Sequence, residues 1–139
     1  MPVMLQVNYW AVLVCGVIAM GVGSLWYSPI LLGHTWMEAL DKSEEELKKD
    51  FNPVKTFGLS FIGHLFIAYS LAQLMAHTNA NTVSEGIRLS FLCWIGFIVA
   101  PMMINSLFEA RSKKLLLVDT GYHLIVLLIF GVILGAWTI

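Results

Sequence analysis

Charge is what this chain has least of: eight basic and nine acidic side chains in 139 residues, 12% of the total, against 58% hydrophobic residues. Soluble domains average about 25% charged and about 45–50% apolar, so a water-exposed surface cannot be built from this composition. With a net charge of −1 there is also no basic surplus to hold a nucleic acid. Cysteine is nearly absent. Cys15 and Cys93 both sit within apolar runs, which implies inert packing thiols and no disulfide framework. Met1 to Asn8 contains no Lys or Arg, and the apolar run that follows is too long for a signal peptide and ends without a small-x-small cleavage pattern. It reads as a retained helix.

What is there is apolar sequence in lengths of about 20 residues, enough to cross a bilayer. The pattern predicts four spans, from about Tyr9 to Leu32, Val54 to Ala76, Ile87 to Phe108 and Leu115 to Trp137. Tyr9, Trp10, Trp26 and Tyr27 flank the first, where amphipathic rings settle at the headgroups. The segment Gly33 to Leu40 is expected along the interface. After it comes the most polar stretch, residues 41–50, with a capping box in Ser43 and Glu46 and i,i+4 pairs Glu44–Lys48 and Glu45–Lys49, which predicts a short solvated helix. Asn52-Pro53 ends it. Short connections between antiparallel spans make an all-α, four-helix up-down bundle the simplest architecture, in a single membrane domain over residues 1–139.

Basic residues are divided very unequally. Lys42, Lys48, Lys49, Lys55, Arg111, Lys113 and Lys114 flank the first and third connections, and Arg88 stands alone on the other side. Seven against one predicts that those connections are cytoplasmic and both termini lie outside the cytoplasm. Small residues recur four apart in Gly131 and Gly135, in Cys15, Ala19 and Gly23, and in Ala68, Ala72 and Ala76. That spacing lets helices approach closely in lipid, and a leftover small-residue face would suit a homo-oligomer.

Polar and ionisable groups inside spans are costly, and so are candidate functional residues. Here they are His64, Asp119 and His123, with Asn105 and Glu109 near a helix end. At about 1.5 Å per residue, His64 lies roughly 15 Å into the second span and His123 roughly 12 Å into the fourth. Asp119 sits one turn shallower than His123 on the same face, and Asn105 and Glu109 close the third span near that depth. The expected result is a polar pocket in the cytoplasmic half, with Ser24, Tyr27 and Ser28 at a compatible height. Thr56, Ser60 and His64 follow one another at i+4, continued by Ala68 and Ala72, a stripe expected to face the interior.

Three readings of this cluster stand side by side. In the first it is structural, with an Asp119–His123 pair and the Asn105 amide fixing helix register. In the second it is a proton-responsive or ligand-binding pocket, since a histidine beside a carboxylate can titrate near physiological pH. In the third, two histidines and a carboxylate hold a metal, although no local spacing enforces the geometry. No nucleophile elbow, phosphate loop or His-Glu-x-x-His is present, so neither an enzyme nor a cofactor is expected.

The runs Asn8-Tyr9-Trp10-Ala11-Val12-Leu13-Val14 and Gly23-Ser24-Leu25-Trp26-Tyr27-Ser28-Pro29, with Trp36-Met37 behind them, resemble the opening of the small membrane proteins grouped as domain of unknown function 1761. Asn105-Ser106-Leu107-Phe108-Glu109 with Arg111, Gly121-Tyr122-His123-Leu124 and the closing Gly131-Val132-Ile133-Leu134-Gly135-Ala136-Trp137 are similar to its later motifs. Trp26-Tyr27-Ser28-Pro29 is the most specific part. That family more often carries Asn where this chain has Asp119. The resemblance implies a four-span bacterial membrane protein and supplies no activity, substrate or catalytic residue. The function expected is that of a non-enzymatic structural or interaction protein, homo-oligomeric or bound to a membrane-protein partner in the bilayer. A small transporter or channel with His64, Asp119 and His123 lining a solvated cavity is the alternative. A lipid-modifying enzyme using Asp119, His123 and Glu109 is a third, with no motif to support it.

Overall fold

The computed structural model describes residues 7–28, 33–40, 52–110 and 112–137, with residues 34 and 39 described by backbone alone. Every regular element among them is helical: α1 (Tyr9–Trp26), α2 (Gly33–Leu40), α3 (Pro53–His77), α4 (Val83–Cys93), a wide π-helical stretch (Trp94–Val99), α5 (Ala100–Glu109) and α6 (Lys113–Ala136). Helices α1, α3, the continuous run α4 to α5, and α6 are each long and apolar enough to cross a membrane. They are the first to fourth spans of an up-down bundle. The charged stretch at residues 41–50, with its expected helix, lies outside the described residues, as do Pro29 and Arg111.

Local chemistry sets the helix ends. Asn8 and Asn52 cap α1 and α3 by accepting from Ala11 N and Lys55 N at 3.2 Å, and Pro53 takes the first helical position, where a missing N–H costs nothing. The third span begins at Val83, a turn before the apolar run, because Thr82 and Glu85 form a capping box. The Thr82 hydroxyl accepts from Glu85 N and donates to Glu85 Oε1, each at 3.2 Å. Within that span Ala100 N–H reaches back five residues to Ile95 O. Pro101 follows and cannot donate to the carbonyl of Phe97, and the widened turn relieves the crowding its ring would cause. Ala110 then ends α5 in the left-handed region at φ 54°.

The spans do not pack in chain order. The first lies against the second and the fourth, and the third lies chiefly against the fourth, so the second and third barely touch although a short connection joins them. An apolar cleft of about 290 Å³ separates those two, lined by Phe66, Ser70, Leu71, Cys93 and Phe97, with Leu127 of the fourth span among its walls. The core comes from Ala11, Val12, Cys15 and Ala19 of the first span, Ala68, Leu71 and Met75 of the second, and Tyr122, Val126, Leu127, Phe130 and Leu134 of the fourth. In lipid, such contacts stabilise by close packing and hydrogen bonding more than by hydrophobic transfer. The tightest approach is between the third and fourth spans. A Cβ on Gly131 would meet Ser90 Oγ and the Gly86 carbonyl, and one on Gly135 would meet the backbone of Thr82.

Candidate functional site

One stretch of the fourth span, Val118 to His123, collects polar contacts from all three others. From the first span, Trp26 Nε1 donates to Val118 O at 3.0 Å, and the Tyr27 hydroxyl donates to Asp119 Oδ1 at 2.7 Å. From the third, Trp94 Nε1 donates to Thr120 O at 2.8 Å. The contribution of the second is His64, whose Nε2 lies 3.1 Å from the Tyr122 hydroxyl. That hydroxyl is also 2.9 Å from Ala19 O on the first span, while His64 Nδ1 is 2.8 Å from Ser60 O one turn earlier on its own helix.

Small residues make room for this arrangement. A Cβ on Gly23 would lie 3.0 Å from the Tyr122 hydroxyl, and one on Gly121 would lie 3.1 Å from the Trp26 ring. Aromatic rings wall the site. Tyr122 packs against Tyr27 at 5.5 Å between centroids and against His123 at 5.2 Å, and it meets His64 edge-on at 5.9 Å. Tyr27 also meets Trp36 of α2 edge-on at 5.1 Å. At the start of α2, Gly33 N donates to Ser28 O at 2.8 Å, and a Cβ there would strike the Tyr27 and Ser28 backbone. The hydroxyls of Ser24 and Ser28 donate to helix carbonyls of Met20 and Leu25, at 3.0 and 2.6 Å.

Of the five residues expected to share a pocket, three come together. His64 is buried, and His123 lies within electrostatic reach of both His64 and Asp119. The carboxylate of Asp119 is held by Tyr27, however, and no described hydrogen bond joins it to His123. Asn105 and Glu109 are exposed on α5, and no described hydrogen bond links Asn105 to the group. Equal depth along two helices does not imply a shared face, and the wide turn at Trp94–Val99 rotates α5 relative to the half of the span that grips the fourth. Tyr122 is the residue that sequence reasoning undervalued. Its signal was the i+4 line Val118, Tyr122, Val126, Phe130 and Leu134, all buried. The interior stripe of the second span runs through His64 and Ala68, but Thr56 at its beginning is exposed.

Among the described residues no three His, Cys, Asp or Glu side chains gather as a metal-binding set. A buried hydroxyl at the third–fourth crossing, Ser90 Oγ, has no hydrogen-bond partner among the described residues. Three cavities are described: the cleft between the second and third spans, an open groove of about 520 Å³ lined by Tyr9, Ile62 and Tyr69 among others, and a hollow of about 200 Å³ near Asn8, Asn79 and Trp137 at the opposite end of the bundle from Asp119. None of the three is lined by His64, Asp119, Tyr122 or His123.

No curated protein and no solved structure matches the chain. A family model described as a protein of unknown function, DUF1761, matches residues 10–135, from the first turn of the first span to the last turn of the fourth. The match takes in Trp26, Tyr27, His64, Asp119 and Tyr122, and with it the chain belongs to the DUF1761 family.

Proposed function

We propose that this four-span protein is a non-enzymatic structural or interaction component of the bacterial cytoplasmic membrane, working as a homo-oligomer, with both termini outside the cytoplasm. The observation that carries the reading is the spending of polar groups. Trp26, Tyr27, Trp94 and Tyr122 all direct their donors to other spans, where they fix the register of the bundle. Oligomerisation has room on the third span, whose most apolar stretch is only 6% buried within the chain and leaves Phe91, Leu92, Phe97, Leu107 and Phe108 facing lipid or a second copy. It is supported by Asn105, a carboxamide on that uncovered helix. The orientation rests on the seven-to-one division of basic residues.

Native mass spectrometry from lipid nanodiscs tests the reading. A multiple of the 15.5 kDa chain mass is expected, reduced to the single mass by Asn105→Leu, whereas a single chain throughout a range of protein-to-lipid ratios overturns it.

A further inference from the structure

The contacts around His64 can be counted in protons. Ser60 O and Ala19 O, at the two ends of the chain of contacts, are backbone carbonyls and supply acceptors only. Between them stand Nδ1 and Nε2 of His64 and the hydroxyl of Tyr122, with three contacts of 2.8, 3.1 and 2.9 Å to fill. A neutral imidazole carries one ring proton and the phenol carries one. Two protons cannot make three hydrogen bonds. With Nδ1–H donated to Ser60, the phenol hydrogen goes either to Ala19 O, leaving Nε2 buried without a donor, or to Nε2, releasing Ala19. One added proton completes the set: Nδ1–H to Ser60 O, Nε2–H to the Tyr122 oxygen, and the Tyr122 O–H to Ala19 O.

We infer that His64 and Tyr122 form an intramembrane proton-binding site, in which a proton taken up on the His64 imidazole completes a hydrogen-bonded strap across the second, fourth and first spans. The site is built for it. His64 is 9% exposed, Gly23 opens the slot through which the Tyr122 hydroxyl reaches the first span, and both terminal acceptors are fixed by helix backbone. The surrounding charges are few. The fourth span presents His123, which lies within electrostatic reach of His64, and Asp119, whose carboxylate accepts from the Tyr27 hydroxyl. The first presents Tyr27, committed to Asp119, and Cys15 one turn from Ala19. On the third span, Cys93 faces the cleft beside Ser70 and Leu71, beyond the next turns of the second span from His64. The consequence of protonation is mechanical: the first span is bound to Tyr122 without leaving His64 unpaired.

The inference does not depend on subunit number, so the mass measurement and the following one fail independently. The full chain, with nitrogen-15 in its histidines, is placed in lipid vesicles and followed by solid-state NMR over the range in which histidines ordinarily titrate. The His64 signals are identified by their loss in His64→Asn. On acidification both ring nitrogens of His64 are expected to become protonated, with Nε2–H hydrogen-bonded to the phenol. Tyr122→Phe is expected to weaken proton binding about tenfold, in line with a hydrogen bond to a charged group. Gly23→Ala, which shifts the hydroxyl without removing it, is expected to weaken it less, and it carries the test if Tyr122→Phe fails to fold. A single protonated ring nitrogen across the whole range overturns the proposal, as does a proton affinity unchanged by both variants.

Discussion

The third span (Val83–Glu109) and the fourth (Lys113–Ala136) have nearly the same mean hydropathy, yet 6% of the most apolar stretch of the third is buried within the chain against 39% for the fourth. The fourth touches every other span and supplies five residues of the core, whereas the third buries Gly86 and Ser90 and turns most of its large side chains outward. In water such a difference would be written into composition, because exposed positions would be polar. In lipid both faces are apolar, so position in the bundle is encoded by small residues and by hydrogen-bonding side chains instead.

Substitutions sharpen that contrast, and unfolding in mixed micelles reads them. Gly131→Ala should have the largest effect, because its methyl group would run into Ser90 Oγ and into the Gly86 backbone, which cannot yield. A loss of about 3 kcal/mol, or of the folded bundle, is expected for such overpacking. Trp94→Phe comes next. It keeps the ring but removes the donor to Thr120 O, for about 1 kcal/mol. Gly96→Ala, on the outward side of the third span with nothing within 4 Å, should change stability by less than about 0.5 kcal/mol. If Gly96→Ala were as damaging as Gly131→Ala, the third span would be buried in something the single chain does not provide, and the comparison between the two spans would have to be redrawn for the assembled protein.

Much of the fold was legible before the structure. Four apolar runs and the aromatic flanks of the first appear as helices or helix ends, whereas Asn52-Pro53, read as the end of the polar stretch, proves to cap and open the second span. Gly131 and Gly135 correctly marked a close approach, but their partners Gly86 and Ser90 were not singled out, because one helix's small residues do not name the helix they face. The neighbour relations were equally hidden, since four spans of similar hydropathy can be arranged in several ways with the same short loops. At the site, His64 and Asp119 stood out as ionisable groups in apolar surroundings. Tyr122 did not, because a tyrosine within a hydrophobic run attracts no notice until its hydroxyl is seen between His64 and Ala19. Asn105 and Glu109 were placed by arithmetic that fixes height along a regular helix and leaves rotation about its axis undetermined.

The wide turn at Trp94–Val99 has a consequence for how the third span answers to mutation. An α-helix closes its hydrogen-bonded ring over four residues and a π-helix over five, so the turn stores what amounts to one surplus residue. The two halves of the span are thereby phased separately: Gly86, Ser90 and Trp94 are set against the fourth helix, while Asn105, Leu107 and Phe108 follow a different angular origin. Deleting one residue between Trp94 and Val99 would bring the halves into a common phase and swing α5 by about 100°. The span is a two-part key whose parts are cut independently, one for the bundle and one for its surroundings.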